Sequence, residues 1–211
     1  MGSVRKTVAT GSALAAVALV GACLGPMARP AEAAYPGRNG KIVFTSNRVT
    51  ADNPDGDFEI FTMNGDGDGI VQLTKNDQDD VTPVWSPNGK RLAFGRFGPG
   101  DTVEIWVMDA DGQNQRQLTQ FDAFSYSPTW SPNGNNIAFA SDADGDFEIY
   151  VMDADGGDTQ QLTHNDAVDD LPSWSPRSKT IAFNNDRDDP GDVQIYKVKA
   201  NGGKAKPLTS D

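Results

Sequence analysis

Residues 127–163 read SPTWSPNGNNIAFASDADGDFEIYVMDADGGDTQQLT and contain four short strand-like segments separated by turns. The first segment stops at Ser131-Pro132-Asn133-Gly134, where proline presets one turn dihedral and glycine accepts a positive one. Residues 137–140 alternate large and small apolar side chains, which suits a strand packed on both faces. Residues 149–151 are β-branched or aromatic, and the segment 148–152 precedes an Asp-Gly hairpin turn at 155–156, after which a polar segment follows. The stretch predicts four antiparallel strands.

The same unit occurs four times along the chain. Trp-Ser-Pro recurs at spacings of 45 and 44 residues, at Trp85, Trp130 and Trp174. Leu-Thr recurs at spacings of 45, 44 and 46 residues, at Leu73, Leu118, Leu162 and Leu208. A repeat of this length, built from four short strands and without helical periodicity, is typical of β-propeller blades.

We therefore predict an all-β fold, a β-propeller of four four-stranded blades covering about residues 35–74, 82–119, 127–163 and 171–209. Blades must stack, because one blade cannot bury both of its faces. The buried positions are expected to be the large residues repeated in every copy: Phe44, Phe94, Phe139 and Phe183, with Ile60, Ile105, Ile149 and Ile195. The first copy lacks a Trp-Ser-Pro strand, so the blades could close into a ring, form an open arc or be shared in a dimer.

The N-terminus has the features of a secretory signal. Arg5 and Lys6 precede an Ala-rich, nearly uncharged stretch that is too short and too interrupted for a membrane span. Ala31-Glu32-Ala33 fits a cleavage site, which makes residues 1–33 a signal peptide and 34–211 the propeller. Residues 20–23 also resemble a lipobox, so Cys23 is the lipidation candidate. We expect an exported chain that is periplasmic, cell-surface or extracellular, with a lipid anchor as the alternative.

Composition excludes several classes of partner and scaffold. Cys23 is the only cysteine, so a disulfide-stabilised fold is excluded. The net charge of −12 repels nucleic acid and anionic lipid surfaces. A hydrophobic content of 37% argues against a disordered chain.

The motifs Trp-Ser-Pro-Asn-Gly, Ile-Ala-Phe, Glu-Ile-Tyr-Val-Met-Asp-Ala-Asp-Gly and Gln-Leu-Thr follow one another in fixed order. In this order the sequence resembles the TolB-type β-propeller repeat over essentially all of residues 34–211. The resemblance implies a non-catalytic scaffold of the bacterial cell envelope that binds protein or peptide segments at the mouth of the channel. It implies no cofactor.

Clustered carboxylates between the second and third strands suggest a weak calcium site, best seen at Asp142, Asp144 and Asp146. An EF-hand loop starting at Asp142 would need glycine at its sixth position and glutamate at its twelfth, but these are Phe147 and Asp153. Turn chemistry alone explains the Asp and Gly content of such loops. We therefore predict no metal site. If a weak calcium site exists, Asp142, Asp144 and Asp146 are the candidate ligands.

A second set of carboxylates lies where the chain passes from one blade to the next. In a propeller this segment crosses one face beside the channel. A ring of carboxylates there would attract a basic peptide. The predicted ligand-binding residues are Asp79, Asp80, Asp122, Asp169 and Asp170.

Catalysis finds little support in the sequence. His164 is the only histidine, and no nucleophile elbow, paired-histidine metal motif or phosphate-binding loop accompanies it. The alternative function is a carbohydrate-active propeller lyase or hydrolase that uses a pair of aspartates as acid and base. That alternative requires carboxylates in a cleft, one of them with a raised pKa.

Overall fold

The computed structural model describes residues 40–186 and 193–209, and the structural statements below refer to these residues. The predicted signal peptide, its cleavage site and Cys23 lie outside them. Within the described part, no helix has the length and apolar character that a membrane span requires.

The described chain is all-β and forms four antiparallel sheets, each with its strands paired in chain order. The first sheet contains β1 (Ile42–Ser46), β2 (Glu59–Met63) and β3 (Val71–Gln72). The second contains β4 (Asp80–Trp85), β5 (Arg91–Phe97), β6 (Val103–Asp109) and β7 (Arg116–Gln117). The third contains β8 (Ser125–Trp130), β9 (Asn136–Ser141), β10 (Glu148–Asp153) and β11 (Gln160–Gln161). The fourth contains β12 (Asp169–Trp174), β13 (Thr180–Asn185), β14 (Gln194–Lys199) and β15 (Lys206–Pro207).

The four predicted blades are thus confirmed, with one difference in strand number. The second, third and fourth sheets have four strands, whereas the first has three among the described residues. The missing strand corresponds to the Trp-Ser-Pro segment that the first copy lacks.

The innermost strands β4, β8 and β12 are longer than the sequence predicts. Each begins two residues before the predicted blade start and contains a break in register, at Val81/Val84 in β4 and at the equivalent places in β8 and β12. The residue inside each break has a positive φ of 50–51° and precedes a proline; these residues are Thr82, Ser127 and Leu171. A β-bulge of this kind bends a strand and increases its twist.

The sheets stack through faces of unlike size. Residues opposite each other on neighbouring antiparallel strands share a face. In the third sheet Phe139 pairs with Tyr150 on one face, whereas Ala140 pairs with Ile149 on the other. We call these the large face and the small face. The large faces carry the equivalent pairs Phe44 and Phe61, Phe94 and Trp106, Phe139 and Tyr150, and Phe183 and Tyr196.

At every interface the large face of one sheet packs on the small face of the sheet before it. Phe139 and Tyr150 of the third sheet pack with Ala93 and Ile105 of the second. The other two interfaces repeat this arrangement, Phe94 packing with Ile60, and Phe183 with Ile149. The buried positions predicted in the second and third copies are confirmed, because the second and third sheets are covered on both faces.

Two of the predicted core positions are wrong. Phe44 is only half-buried, and Ile195 is 36% exposed. Phe44 lies on the large face of the first sheet and Ile195 on the small face of the fourth. Consecutive sheets pack together, but the first and fourth form no comparable packing with each other. Within residues 40–186 and 193–209 the four sheets are therefore not closed into a ring, and each end face has no neighbouring sheet.

Candidate functional site

The strand order brings both kinds of acidic segment to the same edge of the sheets. In an antiparallel meander, successive connections alternate between the two ends of the strands, and 'edge' here means the side of the sheets where one set of strand ends lies. The loops between second and third strands therefore lie beside the segments that cross from sheet to sheet. We call this edge the acidic rim, comprising residues 47–58, 73–79, 98–102, 118–124, 142–147 and 162–168. Its exposed carboxylates are Asp52, Asp55, Asp77, Asp101, Asp122, Asp144 and Asp166.

A repeated set of hydrogen bonds holds each crossing segment in place. In the third sheet the Thr163 hydroxyl accepts a hydrogen bond from the Ile149 N–H at 2.9 Å, and Glu148 accepts one from the Asn165 N–H. The first and second sheets repeat these contacts, with Asn76 N–H donating to Glu59 at 2.6 Å and Phe121 N–H donating to Glu104 at 2.8 Å. The Leu-Thr and Glu-Ile motifs recur because they form this contact.

Two of these glutamates have raised pKa values. Burial, with a smaller contribution from the neighbouring Asp169, raises the pKa of Glu148 to about 8. Burial likewise raises the pKa of Glu59 to about 7, with the charge of Asp80 adding to the effect. Both side chains are fully buried. Glu148 has the raised pKa that the enzymatic alternative requires, but its side chain is fully buried and does not line a cleft.

Asp80 and Asp169, both among the predicted binding residues, are internal. Asp80 forms a bidentate pair with Arg96, with nitrogen to oxygen distances of 2.6 and 2.7 Å. Asp169 accepts hydrogen bonds from Asn185 and from Asn165. Neither carboxylate is exposed. Both therefore tie the innermost strand to its own sheet, and a ligand at the surface cannot contact them.

The other three predicted residues remain near the surface. Asp79 accepts a hydrogen bond from the Phe58 N–H at 2.7 Å and is partly exposed. Asp170 accepts one from the Tyr126 hydroxyl at 2.9 Å. Burial raises the pKa of Asp170. Asp122 is exposed and has a positive φ of 51°. Of the five, Asp122 presents the most accessible carboxylate.

The candidate calcium loop is only partly brought together. Asp142 accepts a hydrogen bond from the Phe124 N–H at 2.6 Å and does not join the cluster. Asp144, Asp146 and Glu148 each place one oxygen within 4.8 Å of the others, so these three residues could hold a cation. Asp144 is also bonded to Gln161 at 2.5 Å, and Glu148 to Asn165. These contacts leave few free oxygens for a metal.

An aromatic cluster at the rim escapes prediction from the sequence. Phe97 ends β5 and Phe124 precedes β8, whereas Tyr126 and Phe147 pack against the core between the third and fourth sheets; all four are partly exposed. The ring centroids of Phe97 and Phe124 are 5.7 Å apart, and those of Tyr126 and Phe147 are 5.1 Å apart, both with edge-to-face geometry. The sequence does contain a signal for this cluster. The third copy has the aromatic residues Phe124 and Tyr126 at the positions where the second copy has Asp79 and Val81.

Residues 34–211 match the family described as TolB beta propeller domain. The chain belongs to this family. No curated protein matches the sequence. The TolB assignment covers the whole predicted propeller and both kinds of segment that form the acidic rim.

Solved structures share the TolB propeller fold at low sequence identity. A TolB candidate from Agrobacterium tumefaciens is 24% identical with a TM-score of 0.67, covering 79% of this chain and 61% of that one. TolB from Acinetobacter baumannii is 23% identical with a TM-score of 0.66, covering 84% of this chain and 43% of that one. A puromycin hydrolase is 17% identical with a TM-score of 0.64, covering 81% and 29%. The chain spans less than two thirds of each of these proteins, so the likeness concerns the fold alone.

Proposed function

We propose that this chain is an exported, non-catalytic scaffold of the bacterial cell envelope that binds a basic protein or peptide segment at its acidic rim. The observation that carries the proposal is the aromatic cluster of Phe97, Phe124, Tyr126 and Phe147, which is partly exposed and surrounded by carboxylates. Aromatic side chains supply contact area, and the carboxylates around them attract cations.

The exposed carboxylates near this cluster have the freedom to meet a ligand. Asp122 and Asp166 are exposed and belong to the crossing segments before β8 and β12. Asp80 and Asp169, by contrast, are occupied by internal partners. A basic segment lying across the rim would therefore meet Asp122, Asp166 and the aromatic rings.

The test is affinity capture from an envelope extract, using a double variant that removes rim charge. Asp122→Asn with Asp166→Asn should reduce the recovery of a basic partner, and high salt should reduce it for the wild type. Asparagine tolerates the positive φ of Asp122, so the fold should be retained.

The matched control removes the same charge from the opposite edge. Asp111 and Asp155 are exposed in the Asp-Gly turns there, so Asp111→Asn with Asp155→Asn should leave capture unchanged. Equal loss in both double variants would show a general charge effect and contradict a site at the rim. Polysaccharide turnover by the purified chain would favour the enzymatic alternative.

Export is part of the proposal and rests on residues 1–33. The intact mass of the protein recovered from the envelope distinguishes the two processing routes. Cleavage after Ala33 gives a chain starting at Ala34, whereas a lipidated product begins at Cys23 and is lost in Cys23→Ser.

A further inference from the structure

Four Asn-Gly pairs lie within the described residues, and they begin at Asn64, Asn88, Asn133 and Asn201. All four asparagines are exposed. Asparagine before glycine is chemically labile, because the backbone nitrogen of the glycine can attack the side-chain carbonyl carbon of the asparagine and glycine has no Cβ to hinder the approach. In a folded chain the rate of this attack depends on how the nitrogen and the side chain are held.

Three of the pairs are held by a hydrogen bond of the attacking nitrogen. In each, the glycine N–H donates to the carbonyl three residues before it: Gly89 to Ser86 at 2.8 Å, Gly134 to Ser131 at 2.8 Å, and Gly202 to Lys199 at 2.9 Å. The nitrogen must break this bond before it can attack, so the turn protects the asparagine.

The side chains of two of these asparagines are held as well. Asn88 Oδ1 accepts hydrogen bonds from the Ser86 hydroxyl at 2.9 Å and from the Lys90 N–H at 3.0 Å. The third copy repeats the arrangement, with Asn133 Oδ1 accepting from the Ser131 hydroxyl at 2.7 Å and from the Asn135 N–H at 3.1 Å. The Trp-Ser-Pro-Asn-Gly turn therefore restrains both reacting groups.

The pair of Asn64 and Gly65 is held differently. Among the described residues, neither the Gly65 N–H nor the Asn64 side-chain amide forms a hydrogen bond. The turn is closed by other groups, since the Asn64 N–H donates to the Asp68 carbonyl at 2.8 Å and the Gly67 N–H donates to the Asn64 carbonyl at 3.0 Å. Both reacting groups are therefore unrestrained in a turn that is otherwise formed.

Gly65 also differs in its surroundings and its backbone conformation. Gly89 and Gly134 have positive φ angles of 67° and 74°, which disfavour any other residue, whereas Gly65 is not in this region. A Cβ added at Gly65 would meet no atom within 4 Å. Alanine therefore fits this position without strain, and position 65 can be changed chemically without disturbing the fold.

We propose that Asn64 is a site of spontaneous modification, at which the folded chain deamidates faster than at Asn88, Asn133 or Asn201. The Gly65 nitrogen loses its proton and forms a bond to Cγ of Asn64. The bond from Cγ to Nδ2 breaks, and ammonia leaves with that proton. Water then opens the resulting succinimide at either of its two carbonyl carbons, which gives aspartate or isoaspartate without any oxidant or reductant.

The two products differ in their effect on the turn, which lies at the edge opposite the acidic rim. Aspartate is the residue that the second and third copies have here, Asp109 and Asp153, where its carboxylate accepts a side-chain amide hydrogen bond at 2.7 and 3.0 Å. Isoaspartate adds a methylene group to the main chain and converts the Asn64 carbonyl, the acceptor of the Gly67 N–H, into a free carboxylate. The isoaspartyl product should therefore loosen the hairpin of β2 and β3, whereas the aspartyl product should preserve it. The proposal is independent of the ligand bound at the acidic rim.

Peptide mapping by mass spectrometry, after incubation of the folded protein at mildly alkaline pH, tests the site. Asn64 should convert at least about fivefold faster than Asn88 or Asn133, because attack at those positions must first break hydrogen bonds. The same incubation in urea is the control, and unfolding should bring the rates at the four pairs close together. Equal rates at Asn64, Asn88 and Asn133 in the folded protein would overturn the proposal.

A single substitution tests the chemistry at the same turn. Gly65→Ala should slow the conversion of Asn64 at least about tenfold, because the added Cβ hinders the attack. Its melting temperature should stay near that of the wild type, since the Cβ has open space. An isoaspartyl carboxyl methyltransferase should label the peptide that contains Asn64 in the incubated wild type and leave it unlabelled in Gly65→Ala. Conversion of Asn64 at the wild-type rate in folded Gly65→Ala would contradict attack by the residue 65 nitrogen and overturn the proposal.

Discussion

Glu148 shows how a single buried carboxyl group links the fold to pH. The side chain is fully buried and accepts a hydrogen bond from the Asn165 N–H. Burial raises its pKa to about 8. In the unfolded chain a glutamate titrates at about 4.5. Between these values the unfolded chain loses a proton that the folded chain retains. Stability from this group is therefore greatest at low pH and falls as pH rises toward 8.

Replacing this carboxyl group with an amide should flatten that dependence. In Glu148→Gln we expect the free energy of unfolding to fall less between pH 5 and pH 8 than in the wild type, giving a higher melting temperature at pH 8. Gln194 occupies the same position in the fourth sheet. Its side-chain oxygen accepts a hydrogen bond from the Thr209 hydroxyl at 2.6 Å, so an amide fits this position. Chemical denaturation at several pH values measures the effect.

The control for this prediction is Asp166→Asn, which removes one exposed negative charge from the same edge. It should leave the pH dependence near that of the wild type. An unchanged slope in Glu148→Gln would contradict the assignment of a raised pKa to this residue.

At the scale of the strand, the β-bulge of β8 stores backbone strain. Ser127 has a φ of 51°, a conformation that costs a non-glycine residue roughly 1–2 kcal/mol. The residue before a proline is also disfavoured in α conformations, and Pro128 follows. The equivalent strands repeat the arrangement at Thr82 and Leu171, so the bulge belongs to the blade and not to one copy.

Glycine should relieve the strain at Ser127. We expect Ser127→Gly to raise the free energy of unfolding by about 0.5–1 kcal/mol, since glycine adopts this φ without steric cost but loses more entropy on folding. Thr129→Gly in the same strand should instead lower stability by about 0.5–1 kcal/mol. Urea denaturation compares the two. Destabilisation of similar size in both variants would contradict the assignment of strain to position 127.

At the scale of the whole molecule, the burial of equivalent residues predicts a stability gradient along the stack of sheets. Phe94 and Phe139 are completely buried, whereas Phe44, at the equivalent position of the first sheet, is half-buried. Local opening requires less free energy where fewer apolar contacts are broken. In the described part of the chain the first and fourth sheets each pack against only one other sheet, so they should open before the two central sheets.

Hydrogen exchange followed by mass spectrometry measures this gradient. Amides of β1 and β14 should exchange faster than those of β5 and β9. Uniform protection of all four sheets would contradict the gradient.

Local chemistry made the blades readable in the sequence. The Trp-Ser-Pro-Asn-Gly and Asp-Gly turns and the alternation at residues 137–140 act within one copy, so the four sheets and the three internal interfaces follow from the repeat. The β-bulges were not foreseen, because Ser127-Pro128 has no turn signal that separates it from the strand around it.

The sequence by itself determined the repeat, the all-β class, the family and the residues that face neighbouring sheets, because turns and alternation depend on contacts close along the chain. Only the tertiary structure decided that Asp80 and Asp169 are buried with Arg96, Asn165 and Asn185 while Asp122 is exposed. It also decided that Phe44 and Ile195 remain partly exposed at the ends. These outcomes depend on which groups from other strands and other sheets lie opposite each residue, and four similar copies of one motif do not encode that difference locally.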